Sequence, residues 1–309
     1  MFQGMHYVYE VYKEMSFSKA ARNLFISQPS LSAAVKKAEK QIGFPIFDRS
    51  SNHIQLTELG KEYIRSIEII MDVETGFQNY INDMKELKSG TIAIGGTNLF
   101  ASYVLPPLLS RFTEQYPQVQ VNLVEATTSQ LTDRLFSGSL DLLIDNKNMD
   151  PAVYQKSFFC EEHLLLAVPI RLAVNEKMKN YALTASDIRE NRHLNSRIPP
   201  VPLENFQDES FLLLKSGNDT RSRADRICHN AHVLPKIKLE PDQQITAYNL
   251  SRYGMGISFC SDTLVRHVPD DEGLVYYKLD HKDALREVNF YYKRGRYMPR
   301  VVSTFLEMI

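Results

Sequence analysis

One long helical pattern divides this chain. Residues 57–88 are predicted to form a single helix, because apolar side chains recur at alternating steps of four and three residues. The seam consists of Tyr63, Ile67, Ile70, Glu74, Phe77, Ile81 and Met84. Such a helix either packs along its own domain or pairs with a second copy. Nothing nearby in the sequence is long enough to cover about thirty helical residues, so we expect the helix to form a dimer.

Composition limits what flanks this helix. The 309 residues suffice for about two domains, and 43% hydrophobic with 24% charged residues is typical of a globular protein. No apolar run approaches the roughly 18 residues of a membrane helix, and the first residues do not resemble a signal peptide. Three scattered cysteines do not make a disulfide framework, which favours the cytoplasm. The net charge of -1 gives no overall basic character.

Residues 16–60 carry the most specific local pattern. Two short helices precede a tight turn and a third helix that Ser27 caps, that has a proline in its first turn and that Gly43 ends. The stretch 44–56 then alternates like a small hairpin or wing. This arrangement predicts a winged helix-turn-helix, whose third helix lies in the major groove of DNA. An ordinary three-helix bundle with a solvated charged face is the alternative.

The side chains of this region suit DNA. Between residues 18 and 49, six basic residues stand against two acidic ones, a local charge of +4 in a chain that is otherwise acidic. Gln28 can pair with adenine, serines can contact any base, and basic side chains can hold phosphates. The predicted DNA-binding residues are Ser18, Arg22, Ser27, Gln28, Pro29, Ser30, Ser32, Lys36, Arg49 and His53.

After residue 90 the pattern changes to strands alternating with helices, which predicts an α/β fold with parallel βαβ units. We expect two α/β halves, with the chain crossing near Val168 and returning near Cys260. At four places a predicted strand leads into a helix that begins with hydroxyl or amide side chains. Such helix starts bind small anions, although each is also explained as a simple helix cap. The side chains at these helix starts that we expect to hold a small ligand are Thr97, Asn98, Thr128, Ser129, Asn218, Thr220 and Gln244.

The segment SFSKAARNLFISQPSLSAAVKKAEKQIGFPIFDRSSNHIQLTELG, residues 16–60, closely resembles the N-terminal signature of LysR-type transcriptional regulators. Residues 105–125 and 137–144 resemble the effector domain of that family. The resemblance implies a DNA-binding domain over 1–58, a dimerising linker helix over 59–89 and an effector domain over 90–309. The effector domain would consist of two subdomains like those of periplasmic binding proteins, about 90–167 with 263–309 and about 168–262, with the co-inducer bound between them.

The resemblance further implies a regulator that acts as a homotetramer on a dyad-symmetric operator in double-stranded DNA, with RNA polymerase as a further candidate partner. Ala33 stands where many members carry arginine, and Asn52-His53 where many carry glycine and arginine in the wing. One base contact and one phosphate contact therefore differ from the family pattern. The stretch from about residue 175 to 202 is longer and more polar than in many relatives and predicts an enlarged loop or an extra helix.

Other chemistry is weaker in this sequence. Cys228, His229 and His232 have helical spacing, but without a second ligand pair we expect no metal site and no cofactor. Cys228 and Cys260 could form a redox pair, although small buried side chains explain them better. No nucleotide-binding or hydrolase motif is present. We therefore expect a regulator switched by a small effector, a carboxylate or similar anion, rather than an enzyme, a solute-binding protein or an architectural DNA binder.

Overall fold

The chain divides into two structural units. The computed structural model describes residues 2–48, 54–83, 90–269 and 272–309. One unit takes in Met1–Leu87, Asp133–Leu140 and Gly295–Arg300, and the other takes in Lys88–Thr132, Asp141–Arg294 and Val301–Ile309. Among the described helices, none combines the length and the apolar character that a membrane crossing requires.

The N-terminal elements form a winged helix-turn-helix followed by one long helix. They are α1 (Met5–Glu14), α2 (Phe17–Asn23), α3 (Gln28–Ile42), β1 (Phe47–Asp48), β2 (Gln55–Leu56) and α4 (Glu58–Asp83). The Ser16 hydroxyl accepts from the Lys19 N–H at 3.3 Å, and the Ser27 hydroxyl accepts from the Ser30 N–H at 3.2 Å, so α2 and α3 begin where the sequence predicts. β1 and β2 pair antiparallel as the wing.

The helix α4 does not use its whole apolar seam for a partner. Tyr63 and Ile67 are buried in the core of the N-terminal helices, and Ile70 packs against that core. Our expectation that nothing nearby covers the seam is therefore wrong for its first turns, because α1 packs on them as part of the N-terminal core. Further along, Val73 and Phe77 are 68% and 64% exposed. Met84, the last residue of the seam, and the end of the helix predicted at residue 88 lie outside the described residues.

Residues 90–309 build one mixed sheet flanked by helices. Its strands are β3 (Gly90–Gly96), β4 (Val119–Glu125), β5 (Leu142–Asp145), β6 (Tyr154–Pro169), β7 (Ser210–Leu212), β8 (Lys236–Leu239), β9 (Ile257–Ser261), β10 (Leu274–Lys278) and β11 (Leu285–Lys293). The order is β4-β3-β5-β11-β6-β9-β7-β8, and β10 also pairs with β6. The strands β3, β4 and β5 run parallel, as do β7, β8 and β9, which confirms the α/β fold class.

Helices cover this sheet. They are α5 (Leu105–Gln115), α6 (Thr128–Ser137), α7 (Val174–Lys177), α8 (Ala185–Arg189), α9 (Asp219–Asn230), α10 (Gln244–Arg252), α11 (Asp262–His267) and α12 (Arg300–Met308). A π-helical turn (Phe100–Val104) precedes α5. In the second half of the sheet, aromatic side chains from three strands and a 3-10 turn fill the core: Phe206, Phe211, Phe259 and Tyr277.

A single strand joins the two halves. Residues 154–163 of β6 pair with β11 in the first half, and residues 164–167 pair with β9 in the second. The chain therefore crosses at His163, some residues before the predicted Val168. The expected return near Cys260 is wrong. Because β10 pairs with β6 at Leu165–Pro169, it still belongs to the second half, and the chain returns only between Lys278 and Leu285.

The polar stretch 175–202 is a folded part of the second half. It contains α8 and two 3-10 turns, Lys179–Tyr181 and Arg192–Leu194. Thr184 and Asp187 form a reciprocal capping box at the start of α8. Leu183 and Ile188 are buried against Leu165 of β6 and Leu264 of α11. This stretch therefore adds helical cover to the sheet.

Candidate functional site

The start of α3 forms an exposed polar surface. Ser27, Gln28, Pro29 and Ser30 are all exposed, as are Ser18, Arg22 and Lys36, whereas Ser32 is half-buried. Ser27 is engaged in the cap, and its hydroxyl also lies 2.7 Å from that of Ser30. Gln28 therefore has the longest side chain free to reach a base edge at this end of the helix. The predicted contacts Arg49 and His53 lie outside the described residues.

Several signature residues of the N-terminal domain hold the wing in place. The Glu39 carboxylate accepts hydrogen bonds from the Ile46 and Phe47 N–H groups at 3.0 and 3.3 Å. The Thr57 hydroxyl donates to the Pro45 carbonyl at 2.8 Å and accepts from the Gly60 N–H at 2.9 Å. A Cβ on Gly60 would lie 2.1 Å from the Ile46 carbonyl oxygen, so no larger residue fits there. These residues position the DNA-binding surface.

All seven predicted effector-binding residues line one cavity of about 380 Å³ between the two halves of the sheet. Thr97, Asn98, Thr128 and Ser129 come from the first half, and Asn218, Thr220 and Gln244 from the second. The cavity falls within the size range of small-molecule sites. The structure thus brings together the four helix starts that the sequence singles out, while their binding role remains a prediction.

Most of these side chains already have protein partners. The Thr128 hydroxyl donates to Asp145 at 2.8 Å, and the Asn98 amide donates to Glu125 at 2.9 Å. The Asn218 side-chain oxygen accepts from the Thr220 N–H at 2.9 Å, which caps α9. Gln244 differs. Its side-chain oxygen accepts from the Ser261 hydroxyl at 3.1 Å, but its Nε2 is buried and meets no acceptor among the described residues.

The floor of the cavity is a buried charge network that the sequence reasoning missed. The Arg286 side chain is 1% exposed and donates from Nε to Glu162 at 2.6 Å, and from Nη1 to Asp219 at 3.1 Å and to the Thr220 hydroxyl at 3.0 Å. Burial alone would lower the pKa of Arg286, but Glu162 and Asp219 raise it above its ordinary value. The available signal was an arginine on the same strand face as the buried Val288.

Asp145 is the second buried charge that the sequence reasoning missed. It ends β5, is 1% exposed, and accepts from the Lys147 N–H at 2.8 Å as well as from Thr128. Burial raises the pKa of this carboxyl. A buried carboxyl group at the edge of a cavity is a polar group that can contact a ligand.

The cysteines and histidines that the sequence raised as alternatives differ in their exposure. His229 and His232 are exposed, whereas Cys228 is buried. All three cysteines are free. Burial raises the pKa of the Cys160 and Cys228 thiols to about 12 and also raises the pKa of Cys260, which favours the protonated form over the reactive thiolate.

Comparison with known proteins decides the family. Residues 2–61 match the profile described as "Bacterial regulatory helix-turn-helix protein, lysR family", and residues 85–309 match the LysR substrate binding domain. The chain belongs to the LysR family of transcriptional regulators. This LysR-type regulator is therefore a DNA-binding protein with an effector-binding domain and not an enzyme.

Relatives of this LysR-type regulator match either nearly the whole chain or its effector domain. It is 28% identical over 307 residues to the HTH-type transcriptional regulator YcgK of Bacillus subtilis (strain 168), covering 98% of this chain and 92% of YcgK. A full-length OxyR variant from Pseudomonas aeruginosa has the same fold, with a TM-score of 0.72, 20% identity and coverage of 100% and 94%. The effector binding domain of BenM with its effector benzoate matches with a TM-score of 0.55, 19% identity and coverage of 71% and 90%.

Proposed function

We propose that this LysR-type regulator is switched by a small carboxylate, or a similar oxygen-rich anion, that binds in the cavity between the two halves of its effector domain. The observation that carries this proposal is the buried Nε2 of Gln244. A buried N–H donor without an acceptor costs free energy, about 1–3 kcal/mol, and a ligand oxygen would recover it. Gln244 begins α10, where backbone N–H groups and the helix dipole also favour an anion.

Two features of the cavity and one comparison support a ligand with a single negative charge. Asp219 is held by Arg223 at 2.7 Å and by Arg286 at 3.1 Å, and Asp242 is paired with Lys215 at 2.9 Å. These two carboxylates are therefore compensated and do not repel an anion strongly. Among the described residues that line the cavity, basic side chains do not outnumber acidic ones, which disfavours a ligand with several negative charges. The fold of the BenM domain that binds benzoate points the same way.

The test exchanges the donor for an acceptor. In Gln244→Glu the oxygen facing Ser261 remains, but the N–H donor becomes a carboxylate oxygen that repels an anion. Thermal-shift screening of the full-length protein with small carboxylates, aromatic acids, amino acids and sugars should find a stabilising acid for the parent and none for the variant. Gln207→Glu, the same change at an exposed site, is the matched control. A stabilising acid that binds Gln244→Glu equally well contradicts the proposal.

A second variant tests the opposite wall. Thr97→Val keeps the shape and removes the hydroxyl, so it should weaken the ligand response about tenfold for a loss of about 1.4 kcal/mol. DNA binding and oligomeric state should not change. A Thr97→Val protein that responds at parental effector concentrations would place the ligand elsewhere. A ligand that contacts both halves can shift the equilibrium between an open and a closed cavity only as far as its affinities for the two forms differ.

We propose that Gln28 reads a base and that Lys36 holds a phosphate. Both side chains are exposed on α3. Gln28→Ala should cost about 1–3 kcal/mol and relax the preference at one base position. Lys36→Ala should weaken all sequences alike and lower the salt slope by about one unit. A binding-site selection that is unchanged by Gln28→Ala would remove the base-reading role.

We propose that the exposed part of α4 pairs with a second copy. Its exposed apolar side chains lie three or four residues apart, as in a coiled coil: Ile69, Val73, Phe77 and Tyr80. Replacing Val73 and Phe77 with Asp should give monomers in light scattering, while Thr75→Asp, on another exposed face, should not. A double variant that stays dimeric contradicts the proposal. Ile67 is unsuitable for this test because it is buried in the N-terminal core.

From this pairing we derive the remaining assignments. A dimer on one coiled coil presents two recognition helices about one turn of DNA apart, which suits a dyad-symmetric operator. We propose that two such dimers form a homotetramer through their effector domains. We further propose that the regulator acts in the cytoplasm, where it reaches both its operator and RNA polymerase.

A further inference from the structure

Two histidines and an aspartate meet where the two halves of the effector domain join. His163 is the residue of β6 at which pairing passes from β11 to β9. Asp262 follows β9 directly and begins α11, and His193 comes from the 3-10 turn within the polar stretch 175–202. Their ligand atoms all lie within 4.8 Å of one another. We call His163, His193 and Asp262 the junction cluster; it is separate from the effector cavity.

The Asp262 carboxylate is fixed with one oxygen turned towards both histidines. Its Oδ1 accepts from the backbone N–H groups of His163 and Thr263, each at 2.9 Å. Its Oδ2 lies 3.0 Å from His193 Nε2 and 3.7 Å from His163 Nδ1. The protein therefore fixes the orientation of this carboxylate from both of its oxygens.

We propose that the junction cluster binds one divalent transition-metal ion of the zinc type. Ligand atoms about 2.1 Å from a tetrahedral zinc are about 3.4 Å from each other. The two separations at Asp262 are 3.0 and 3.7 Å, and all three ligand atoms lie within 4.8 Å, so small side-chain shifts bring them to that geometry. Imidazole and carboxylate together suit zinc or cobalt better than magnesium or calcium, which prefer oxygen ligands. Three protein ligands leave the fourth position to water.

Arg266 lies next to this position. Its Nη2 is 3.2 Å from Asp262 Oδ2 and 3.5 Å from His193 Nε2. His193 Nε2 cannot form a hydrogen bond with both neighbours. When it carries a proton it donates to the Asp262 carboxylate but cannot accept from the Arg266 guanidinium, and without the proton it accepts from the guanidinium but cannot donate to the carboxylate. A metal ion in place of Arg266 resolves the conflict, because the Nε2 lone pair and Oδ2 then face the same cation. The Arg266 side chain is 28% exposed and can turn into solvent.

The surroundings set the expected affinity. The His163 side chain is 30% exposed, so an ion can enter from solvent, while His193 and Asp262 are buried. Among the described residues, no partner meets His193 Nδ1, which would carry the remaining proton of that ring. Because outer hydrogen bonds to a ligand histidine contribute about 10–100-fold in affinity, we expect micromolar rather than tighter binding.

The experiment titrates the full-length protein, treated with chelator and dialysed, with zinc chloride by calorimetry. A parallel titration with cobalt chloride follows the visible absorption of tetrahedral cobalt. We expect one ion per chain and a higher melting temperature with zinc. His163→Gln removes a partly exposed ligand and should weaken binding about tenfold or more. His229→Gln, which removes an exposed histidine elsewhere, should leave the titration unchanged.

Arg266→Gln separates a metal site from a purely structural network. If Arg266 competes with the metal, removing its charge should tighten zinc binding about tenfold or more. If the junction cluster only holds the fold together, the variant should lose stability and gain no affinity for zinc. Parent and Arg266→Gln proteins that both fail to bind zinc at millimolar concentration would overturn the proposal, as would a folded His163→Gln protein that binds like the parent.

Discussion

Removing the cation beneath the effector cavity should destabilise the effector domain strongly. In Arg286→Met a side chain that is 1% exposed loses its charge and leaves Glu162, which is fully buried, as an anion without its guanidinium partner. Breaking a buried ion pair from one side costs about 3–5 kcal/mol. Asp219 keeps Arg223 and Glu162 keeps the Asn146 amide, so we expect the lower end, about 3 kcal/mol.

The assay is unfolding of the full-length protein followed by circular dichroism. For a domain of this size, about 3 kcal/mol corresponds to a melting temperature roughly 6–12 °C lower. The matched control is Arg226→Met, which removes a half-exposed arginine and leaves Asp283 paired with Arg223; it should cost less than about 1 kcal/mol. The double change Arg286→Met with Glu162→Leu should recover more than half of the loss, because no stranded charge remains. A single variant within about 1 kcal/mol of the parent, or a double variant no better than the single, would refute the reasoning.

Three smaller predictions concern the N-terminal domain and the thiols. Gly60→Ala should abolish DNA binding in gel-shift assays, because its Cβ would lie 2.1 Å from the Ile46 carbonyl oxygen. In the control Gly43→Ala the Cβ meets open space, so the only cost is the backbone φ of +85°. This control should still bind DNA and lose about 1 kcal/mol of stability. Ser27→Ala should lower stability in urea by about 1 kcal/mol through the lost cap, and an unchanged midpoint would contradict that role. At pH 8 a thiol with a pKa of about 12 has roughly a thousandfold less thiolate than a thiol with a pKa of 9.0. Cys228 should therefore react with Ellman's reagent at least a thousandfold more slowly than a free thiol. Fast labelling of Cys228 in the folded protein would contradict its burial.

Local signals explain why the DNA-binding domain could be predicted closely. Ser16 and Ser27 start their helices by bonding to residues three positions ahead, and Gly43 ends α3 with a left-handed backbone. Each of these decisions involves residues within one or two turns, so the sequence displays them directly. By contrast, the sequence does not show at which residue α4 stops packing against the N-terminal domain. Only the folded core shows that Ile67 belongs to the N-terminal domain, while Phe77 stays exposed.

Long-range pairing explains what the sequence could not give for the effector domain. The strands β10 and β11 are both short apolar runs, and nothing in either run states which half it joins. The helix starts around the cavity were predictable, because hydroxyl and amide side chains after a strand are a local pattern. The charge network on the floor of the cavity was not predictable, because Arg286 binds Glu162 and Asp219, which lie 124 and 67 residues away in the sequence.

The strand shared by both halves also has a consequence for the order of folding during synthesis. All strands of the second half lie between Leu164 and Lys278, so that half can assemble as soon as this stretch has left the ribosome. The first half cannot assemble at that point, because β11 lies between β5 and the start of β6 in the sheet. This strand is synthesised about 140 residues after β5. We therefore expect the earlier part of the effector domain to complete its sheet last. At about 5–20 residues per second, the open edge of β5 persists for roughly 7–30 seconds, a period in which it is a candidate for chaperone binding.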